Sequence, residues 1–196
     1  MIEIKNLKVK MKSLEFVFED FRFEKGKITV ISGKNGAGKT TLLRVFASLL
    51  EYEGSLKINA NVTYNSQEPV IFNRTAYCNI AYPLKIRKLD IAEYHDKIIE
   101  YSKLLDIEHL LDNNALKLSS GEKMKVSIIR SIIFNPDIVL LDEPTTHLDL
   151  ESISELTQLI KKLKDKITFI IVTHNFTFME DLVDVEYKVG GKNVLS

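Results

Sequence analysis

The strongest structural signal in the sequence is the segment Gly33-Lys34-Asn35-Gly36-Ala37-Gly38-Lys39-Thr40. It separates two glycines by four residues and continues with Lys and Thr, a pattern typical of loops that bind phosphate groups. Glycine lets the backbone curl, so that successive amides point inward at a polyphosphate. The Lys39 ammonium can reach the phosphates of a nucleotide, and the Thr40 hydroxyl is a suitable ligand for Mg²⁺. The alternative is a glycine-rich turn that matches by chance.

The flanks of this loop have the patterns of a buried strand and an amphipathic helix. Ile28–Ile31 is a β-branched run, typical of a strand covered on both faces of a parallel sheet. Beyond the loop, apolar residues recur at helical spacing at Leu42, Leu43, Phe46, Leu49 and Leu50. A strand, a glycine-rich loop and a helix in this order favour nucleotide binding over a chance match.

Two further strands and a helix extend the same alternation. Ile138–Leu141 and Ile167–Val172 are short apolar runs, and Ile153–Leu163 between them has the spacing of an amphipathic helix. This alternation predicts an α/β fold with a mainly parallel sheet. Near the start of the chain, Ile2–Val9 and Leu14–Phe23 alternate apolar and polar residues and predict an antiparallel β portion.

Helical patterning replaces the strand pattern from about Asn73 to Leu118. The next residues, Ser119-Ser120-Gly121-Glu122, match a capping box and predict a helix that runs through Phe134. We therefore expect one domain over residues 1–196. Its α/β core would comprise residues 1–72 and 135–196, interrupted by an inserted helical subdomain at about residues 73–134.

Composition disfavours or excludes several classes of protein. The chain has 27 Lys and Arg against 27 Asp and Glu, so we expect no basic face and no nucleic acid partner. Its single cysteine, Cys78, excludes a fold held by internal disulfides. No apolar run approaches the ~20 residues that span a bilayer, and the N-terminus lacks the apolar region of a signal peptide. We expect a cytoplasmic protein that reaches a membrane only through other subunits.

Polar side chains follow two of the buried strands. Asp142 and Glu143 come at the end of one, and His174 comes at the end of the next. Parallel sheets bind ligands at the carboxyl ends of their strands, so these groups should face the loop. Asp142 suits Mg²⁺, Glu143 suits a general base, and a neutral His174 can orient a water molecule. Taken alone, each group could equally be a solvated strand end.

The order of the motifs along the chain carries a resemblance. It runs from the loop Gly33–Thr40 through Gln67, Leu118–Glu122, Asp142 and Glu143, and Thr145–Asp149 to His174. This order resembles that of ATP-binding cassette (ABC) ATPases over nearly the whole chain. The resemblance implies a P-loop NTPase of the RecA-like type, which binds ATP and hydrolyses it with Mg²⁺.

The resemblance also implies roles for individual residues. Two cassettes would pair head-to-tail, as a homodimer, with each ATP held between them. The ATP would contact Gly33, Lys34, Asn35, Gly36, Ala37, Gly38, Lys39, Thr40 and Thr41 of one copy and Ser119 and Gly121 of the other. Thr40, Gln67 and Asp142 would hold Mg²⁺, and Glu143, His174 and Gln67 would act in hydrolysis. Ser119, Ser120, Gly121 and Asp149 would lie at the dimer interface.

Three positions depart from the family pattern. The signature usually reads Leu-Ser-Gly-Gly-Gln, whereas this chain has Ser120 and Glu122. The aromatic residue that stacks on adenine in the family falls near Met11, and no aromatic lies between Met1 and Leu14. Base stacking would then be weak, or would be supplied by Met11 or a neighbouring phenylalanine. The choice between ATP and GTP stays open.

The segment after Gln67 resembles that of transporter cassettes, above all stand-alone importer subunits. Its apolar and aromatic residues would suit a groove for a membrane subunit, or would equally suit the core of the helical subdomain: Ile71, Phe72, Tyr77, Tyr82 and Leu84. We expect an ATPase subunit at the inner face of the cell membrane, coupled to integral-membrane transporter subunits. The alternative is a soluble ABC ATPase that acts on ribosomes or nucleic acid. The sequence names neither the solute nor the direction of transport.

Overall fold

The computed structural model describes residues 1–11, 14–174, 180–190 and 192–194. The strands are β1 (Ile2–Met11), β2 (Leu14–Phe18), β3 (Phe21–Phe23), β4 (Ile28–Ser32), β5 (Glu53–Ile58), β6 (Val62–Asn65), β7 (Ile138–Asp142), β8 (Thr168–Val172), β9 (Val185–Lys188) and β10 (Lys192–Val194). The α-helices in these residues are α1 (Lys39–Phe46), α2 (Ala76–Ile86), α3 (His95–Leu104), α4 (Ser120–Ile132) and α5 (Leu150–Leu163).

The central sheet is parallel and has the strand order β6-β7-β8-β4-β9. All residues of β7 and β8 are buried, as the apolar runs predict for strands covered on both faces. The parallel α/β core is therefore confirmed. Strand β9 was missing from the sequence analysis, since its residues Val185–Lys188 do not form a continuous apolar run.

The second sheet is antiparallel and is built around β1, which confirms the predicted antiparallel portion. The prediction of one strand over Leu14–Phe23 is wrong, because β2 and β3 are separate strands that pair with successive parts of β1. At the break, the Asp20 carboxylate accepts a hydrogen bond from the Asn6 amide at 2.6 Å. The break shifts the alternation by one residue, and both Phe18 and Phe23 are consequently buried.

Helices α2, α3 and α4 occupy residues 76–132, between β6 and β7. Helix α4 begins with the predicted capping box: the Glu122 amide donates to the Ser119 hydroxyl at 3.3 Å, and the Ser119 amide donates to the Glu122 carboxylate at 2.8 Å. The helix ends at Ile132, two residues before the predicted Phe134. Asn135 follows with φ of 54°, a left-handed conformation that cannot continue a helix.

The two faces of the parallel sheet have different cover. Helices α2 to α5 share a hydrophobic core with one face, which includes Val139 and Leu141. Helix α1 and the antiparallel sheet pack on the other face, which includes Leu140 and Ile170. The carboxyl ends of the parallel strands stay open to a ligand, as in other sheets of this kind. Among the residues that the structure describes, no helix has the length and apolar character needed to cross a bilayer.

Candidate functional site

The glycine-rich loop connects β4 to α1 and curls around the Lys39 ammonium. Lys39 Nζ donates hydrogen bonds to the carbonyl oxygens of Gly33 at 2.8 Å and Lys34 at 3.2 Å. Gly38 has φ of 102°, and a Cβ atom there would lie 2.6 Å from the Phe16 ring. Glycine is required at this position both for its backbone conformation and for the close approach of Phe16.

The Thr40 hydroxyl lies beside the Asp142 carboxylate, although the two residues are far apart in the chain. Thr40 Oγ1 donates to Asp142 Oδ1 at 2.9 Å, and the Tyr64 hydroxyl donates to Asp142 Oδ2 at 2.8 Å. Asp142 is buried at the end of β7, and its two oxygens are thus oriented by two different elements. A hydroxyl and a carboxylate side by side form a donor pair that suits Mg²⁺.

Glu143 and His174 form a pair at the ends of β7 and β8. His174 Nε2 lies 2.9 Å from Glu143 Oε1, and the His174 amide donates to Glu143 Oε2 at 3.0 Å. Burial raises the pKa of Glu143, and the hydrogen bond that its carboxylate accepts from the His174 amide opposes this rise. Glu143 also has φ of 51°, a left-handed conformation that is costly for a side chain and frequent at functional sites.

These groups line one cleft of about 290 Å³. Its lining residues come from the loop, from α1 and from the strand ends, and they include Asn35, Gly36, Gly38, Lys39, Thr40, Thr41, Gln67, Glu143 and His174. Gly33, Lys34 and Ala37 belong to the same loop. Asp142 lies behind the cleft wall, where its carboxylate accepts a hydrogen bond from the lining residue Thr40. The structure therefore brings Gln67 and the predicted loop and strand-end residues together.

The segment that begins α4 lies in a second cleft, of about 580 Å³. Ser119, Ser120, Gly121 and Asp149 all line it, and none of them lines the cleft of the loop. A Cβ atom at Gly121 would lie 2.8 Å from the His147 carbonyl oxygen, so α4 packs directly on the backbone ahead of α5. The two halves of the predicted nucleotide site are thus separate in one chain.

Two polar contacts hold this second cleft together. The Asp149 carboxylate caps α5 by accepting a hydrogen bond from the Ser152 amide at 2.8 Å, which lowers the pKa of Asp149. Lys125 of α4 forms an ion pair with Glu155 of α5 at 2.8 Å, and both side chains are largely buried. The position of Asp149 therefore has a structural reason besides any role at an interface.

A groove of about 270 Å³ lies between α2, α4 and β6. Of the five residues proposed for it, Phe72 and Tyr82 line the groove, with ring centres 4.6 Å apart, whereas Leu84 is fully buried in the core. Two arginines that line the groove lie over aromatic rings, Arg87 over Phe134 and Arg130 over Phe72. Arg74, outside the lining, lies near the Tyr82 ring. Among the described residues that line the groove, none is acidic.

Sequence reasoning missed Tyr64, which reaches the site through its hydrogen bond to Asp142, and Phe16, which lines the loop cleft. Tyr64 lies near the end of β6, next to β7, and the strand-end argument that identified Asp142 would also have identified it. Phe16 lines the cleft, but its contact with Gly38 joins two sheets and has no local signal. Met11 is beside the loop as expected, with Thr41 Oγ1 3.9 Å from its sulfur.

Comparison with known proteins agrees with this geometry. The family model described as ABC transporter matches residues 19–146. The tungstate uptake system ATP-binding protein TupC of Peptoclostridium acidaminophilum is 37% identical over 177 residues, which cover 85% of this chain and 83% of that protein. The molybdate/tungstate import ATP-binding protein WtpC of Pyrococcus abyssi is 35% identical over 193 residues, which cover 90% of this chain and 55% of that protein.

A solved structure shows the same fold. A bacterial ABC transporter cassette in dimeric form superposes with a TM-score of 0.85 and 24% identity, and the match covers 100% of this chain and 99% of that chain. The fold is that of the P-loop NTPases, with a parallel sheet, an antiparallel sheet and helices. The chain therefore belongs to the ABC transporter family, in which it is an ATP-binding subunit with ATPase activity.

Proposed function

We propose that two copies of the chain form the working ATPase, with each ATP held between the loop of one copy and the Ser119–Gly121 segment of the other. The observation that carries the proposal is the separation of two half-sites in one chain. One cleft contains Lys39, Glu143 and His174, and the other contains Ser119 and Gly121. A cassette of the same fold has been solved as a dimer, which supports the pairing.

In this proposal, the loop amides and Lys39 bind the phosphates, and Thr40 and Asp142 hold Mg²⁺ together with Gln67. The adjacent Thr40 hydroxyl and Asp142 carboxylate suit this ion, because Mg²⁺ prefers oxygen ligands. When bound, Mg²⁺ neutralises charge on the β- and γ-phosphates. Thr41 lies next to the loop at the start of α1 and would add a further polar contact.

Glu143 would act as the general base for hydrolysis. It would take a proton from a water molecule while the water oxygen bonds to the γ-phosphorus and the bond to the bridging oxygen breaks, which gives ADP and phosphate. The proton would then pass from Glu143 to the phosphate or to solvent. His174, whose Nε2 lies 2.9 Å from Glu143 Oε1, would orient the carboxylate. The raised pKa of Glu143 makes it a stronger base than an exposed glutamate.

The second copy would complete the site from the N-terminus of α4. Backbone amides and the helix dipole favour an anion there, so the Gly121 amide and the Ser119 hydroxyl would contact the γ-phosphate. The Glu122 carboxylate is occupied by the Ser119 amide, so the unusual glutamate has a capping role. Ser120 is exposed in the same cleft and would lie at the interface with Asp149. The helical subdomain, about residues 73–134, would carry this surface.

The groove between α2, α4 and β6 would receive a segment of an integral-membrane subunit. Its aromatic rings provide apolar area, and its two arginines, Arg87 and Arg130, favour a segment with acidic residues or exposed carbonyl oxygens. The names of the two relatives describe uptake of tungstate or molybdate, so we propose an oxyanion of this class as the solute. The chain would then lie at the inner face of the cell membrane.

A charge reversal in the groove tests the membrane partner. Arg87→Glu should prevent recovery of membrane subunits when the tagged chain is purified from detergent extracts. Lys85→Glu, at the same end of α2 but outside the groove, is the matched control and should leave recovery intact. In the absence of membrane subunits, both variants should hydrolyse ATP. Recovery of ribosomes in place of membrane proteins would contradict the transport role.

A substitution at the second cleft tests the shared site. Ser119→Arg would block the approach of a partner, so ATPase activity should be lost while the chain still binds ATP in its own loop. Ser154→Arg places the same side chain on the exposed face of α5, outside this cleft, and should leave activity intact. Full activity of Ser119→Arg would contradict the proposal.

A further inference from the structure

The buried carboxylate of Asp142 has a different partner on each oxygen. Oδ1 accepts from the Thr40 hydroxyl at 2.9 Å, and Oδ2 accepts from the Tyr64 hydroxyl at 2.8 Å. Asp142 is 2% exposed, so neither oxygen can exchange its partner for bulk water without a rearrangement. Hydrogen bonds to a buried carboxylate therefore fix the direction in which each lone pair points.

Arg44 of α1 lies near the Tyr64 hydroxyl, and the Tyr64 proton is directed at Asp142. Arg44 lies four residues after Thr40 in α1, so both side chains project from the same face of the helix. The donor to Asp142 Oδ2 thus comes from β6, the strand that pairs with β7.

We propose that Tyr64 is a positioning residue for the Mg²⁺ site: its hydroxyl occupies Asp142 Oδ2, so that Oδ1 and the Thr40 hydroxyl face the metal. This inference rests on the proposed role of Thr40 and Asp142 as metal ligands. Without the Tyr64 hydroxyl, Asp142 Oδ2 loses its hydrogen-bond donor. The carboxylate group of Asp142 is then no longer fixed in its orientation by a bond on this side. Groups that orient a metal ligand typically change metal affinity by about 10- to 100-fold when they are removed.

The test compares Tyr64→Phe with Tyr187→Phe in the full chain. Tyr187 lies in the same sheet and also donates a hydrogen bond, to the Glu19 carbonyl oxygen at 3.0 Å; it is buried, whereas Tyr64 is partly buried. Binding of a fluorescent ATP analogue is titrated with Mg²⁺ and repeated in EDTA. For Tyr64→Phe, we expect at least about a tenfold rise in the Mg²⁺ concentration that gives half of the Mg²⁺-dependent gain in analogue binding. The affinity for the analogue in EDTA should be unchanged. For Tyr187→Phe, we expect no change in either value.

Thermal unfolding is measured for both variants, since loss of a buried hydrogen bond lowers stability in each case. The proposal is overturned if Tyr64→Phe unfolds earlier but keeps the Mg²⁺ dependence of the wild type. It is also overturned if affinity falls equally with Mg²⁺ and with EDTA, because the effect is then on the nucleotide and not on the metal. If the nucleotide affinity of the wild type does not depend on Mg²⁺, the result instead contradicts the proposed role of Thr40 and Asp142 as metal ligands.

Discussion

Gly121→Ala should separate nucleotide binding from hydrolysis. Gly121 lies in the first turn of α4 with ordinary helical backbone, and alanine there would favour the helix by about 1 kcal/mol. The added Cβ would, however, lie 2.8 Å from the His147 carbonyl oxygen, about 0.6 Å closer than the 3.4 Å of an ordinary contact. The neighbour is backbone, so α4 and the segment of His147 must move apart.

The magnitude follows from this displacement. Overpacking of this kind costs about 1–3 kcal/mol, which the gain in helix propensity offsets only in part. A misplacement approaching 1 Å of groups that contact a reacting phosphate can reduce turnover about 100-fold. Since Ser119 and Gly121 would serve the partner's nucleotide, we expect kcat to fall at least about tenfold. The affinity of the loop for ATP should stay that of the wild type.

The assay measures ATPase turnover and binding of a fluorescent ATP analogue for Gly121→Ala and Gly190→Ala. Gly190 is the matched control, because a Cβ atom there meets nothing within 4 Å among the described residues. It should change neither quantity. Wild-type turnover in Gly121→Ala would show that the shared site forms without close packing of α4 on His147, contrary to this prediction.

Other predictions test the loop, the base and the nucleobase. Lys39→Ala should abolish nucleotide binding or turnover, and unchanged hydrolysis would contradict the loop assignment. Lys25→Ala, which removes an exposed side chain outside the loop, is the control and should retain both. A general base works only when it is ionised, and burial raises the pKa of Glu143 above the ordinary glutamate value of 4.5. As the pH is lowered, turnover should therefore begin to fall at a pH above 4.5. A fall that occurs only below pH 4.5 would count against Glu143 as the base. Met11→Tyr should tighten ATP binding roughly threefold to tenfold, since ring stacking contributes about 1 kcal/mol, and no change would show that the base is bound elsewhere.

Local patterns predicted the elements that carry the site. The spacing of Gly33, Gly38 and Lys39 located the strand, loop and helix, because each depends on neighbours in sequence. The capping box at Ser119 and Glu122 was found for the same reason, since a cap is formed within four residues. The strand-end argument also placed Glu143 beside His174, because parallel strands end at one edge.

Contacts between residues that are far apart in the sequence could not be predicted from local patterns. The break between β2 and β3 depends on a hydrogen bond from Asn6 to Asp20, which joins residues fourteen positions apart. The contact of Phe16 with Gly38 depends on how the two sheets pack, and no sequence period encodes it. The division at residues 73–134 stays a prediction, as do the roles of the site residues.

The most direct test of the account is the molar mass of Glu143→Gln in ATP and Mg²⁺, measured by light scattering. Without its base, the variant should bind ATP and fail to hydrolyse it, so that paired copies accumulate. Paired copies should have twice the 22.4 kDa of one chain, and the mass should return to 22.4 kDa when Ser119→Arg is added to the same variant. A mass of one chain with ATP bound in Glu143→Gln would contradict the claim that two copies share each nucleotide.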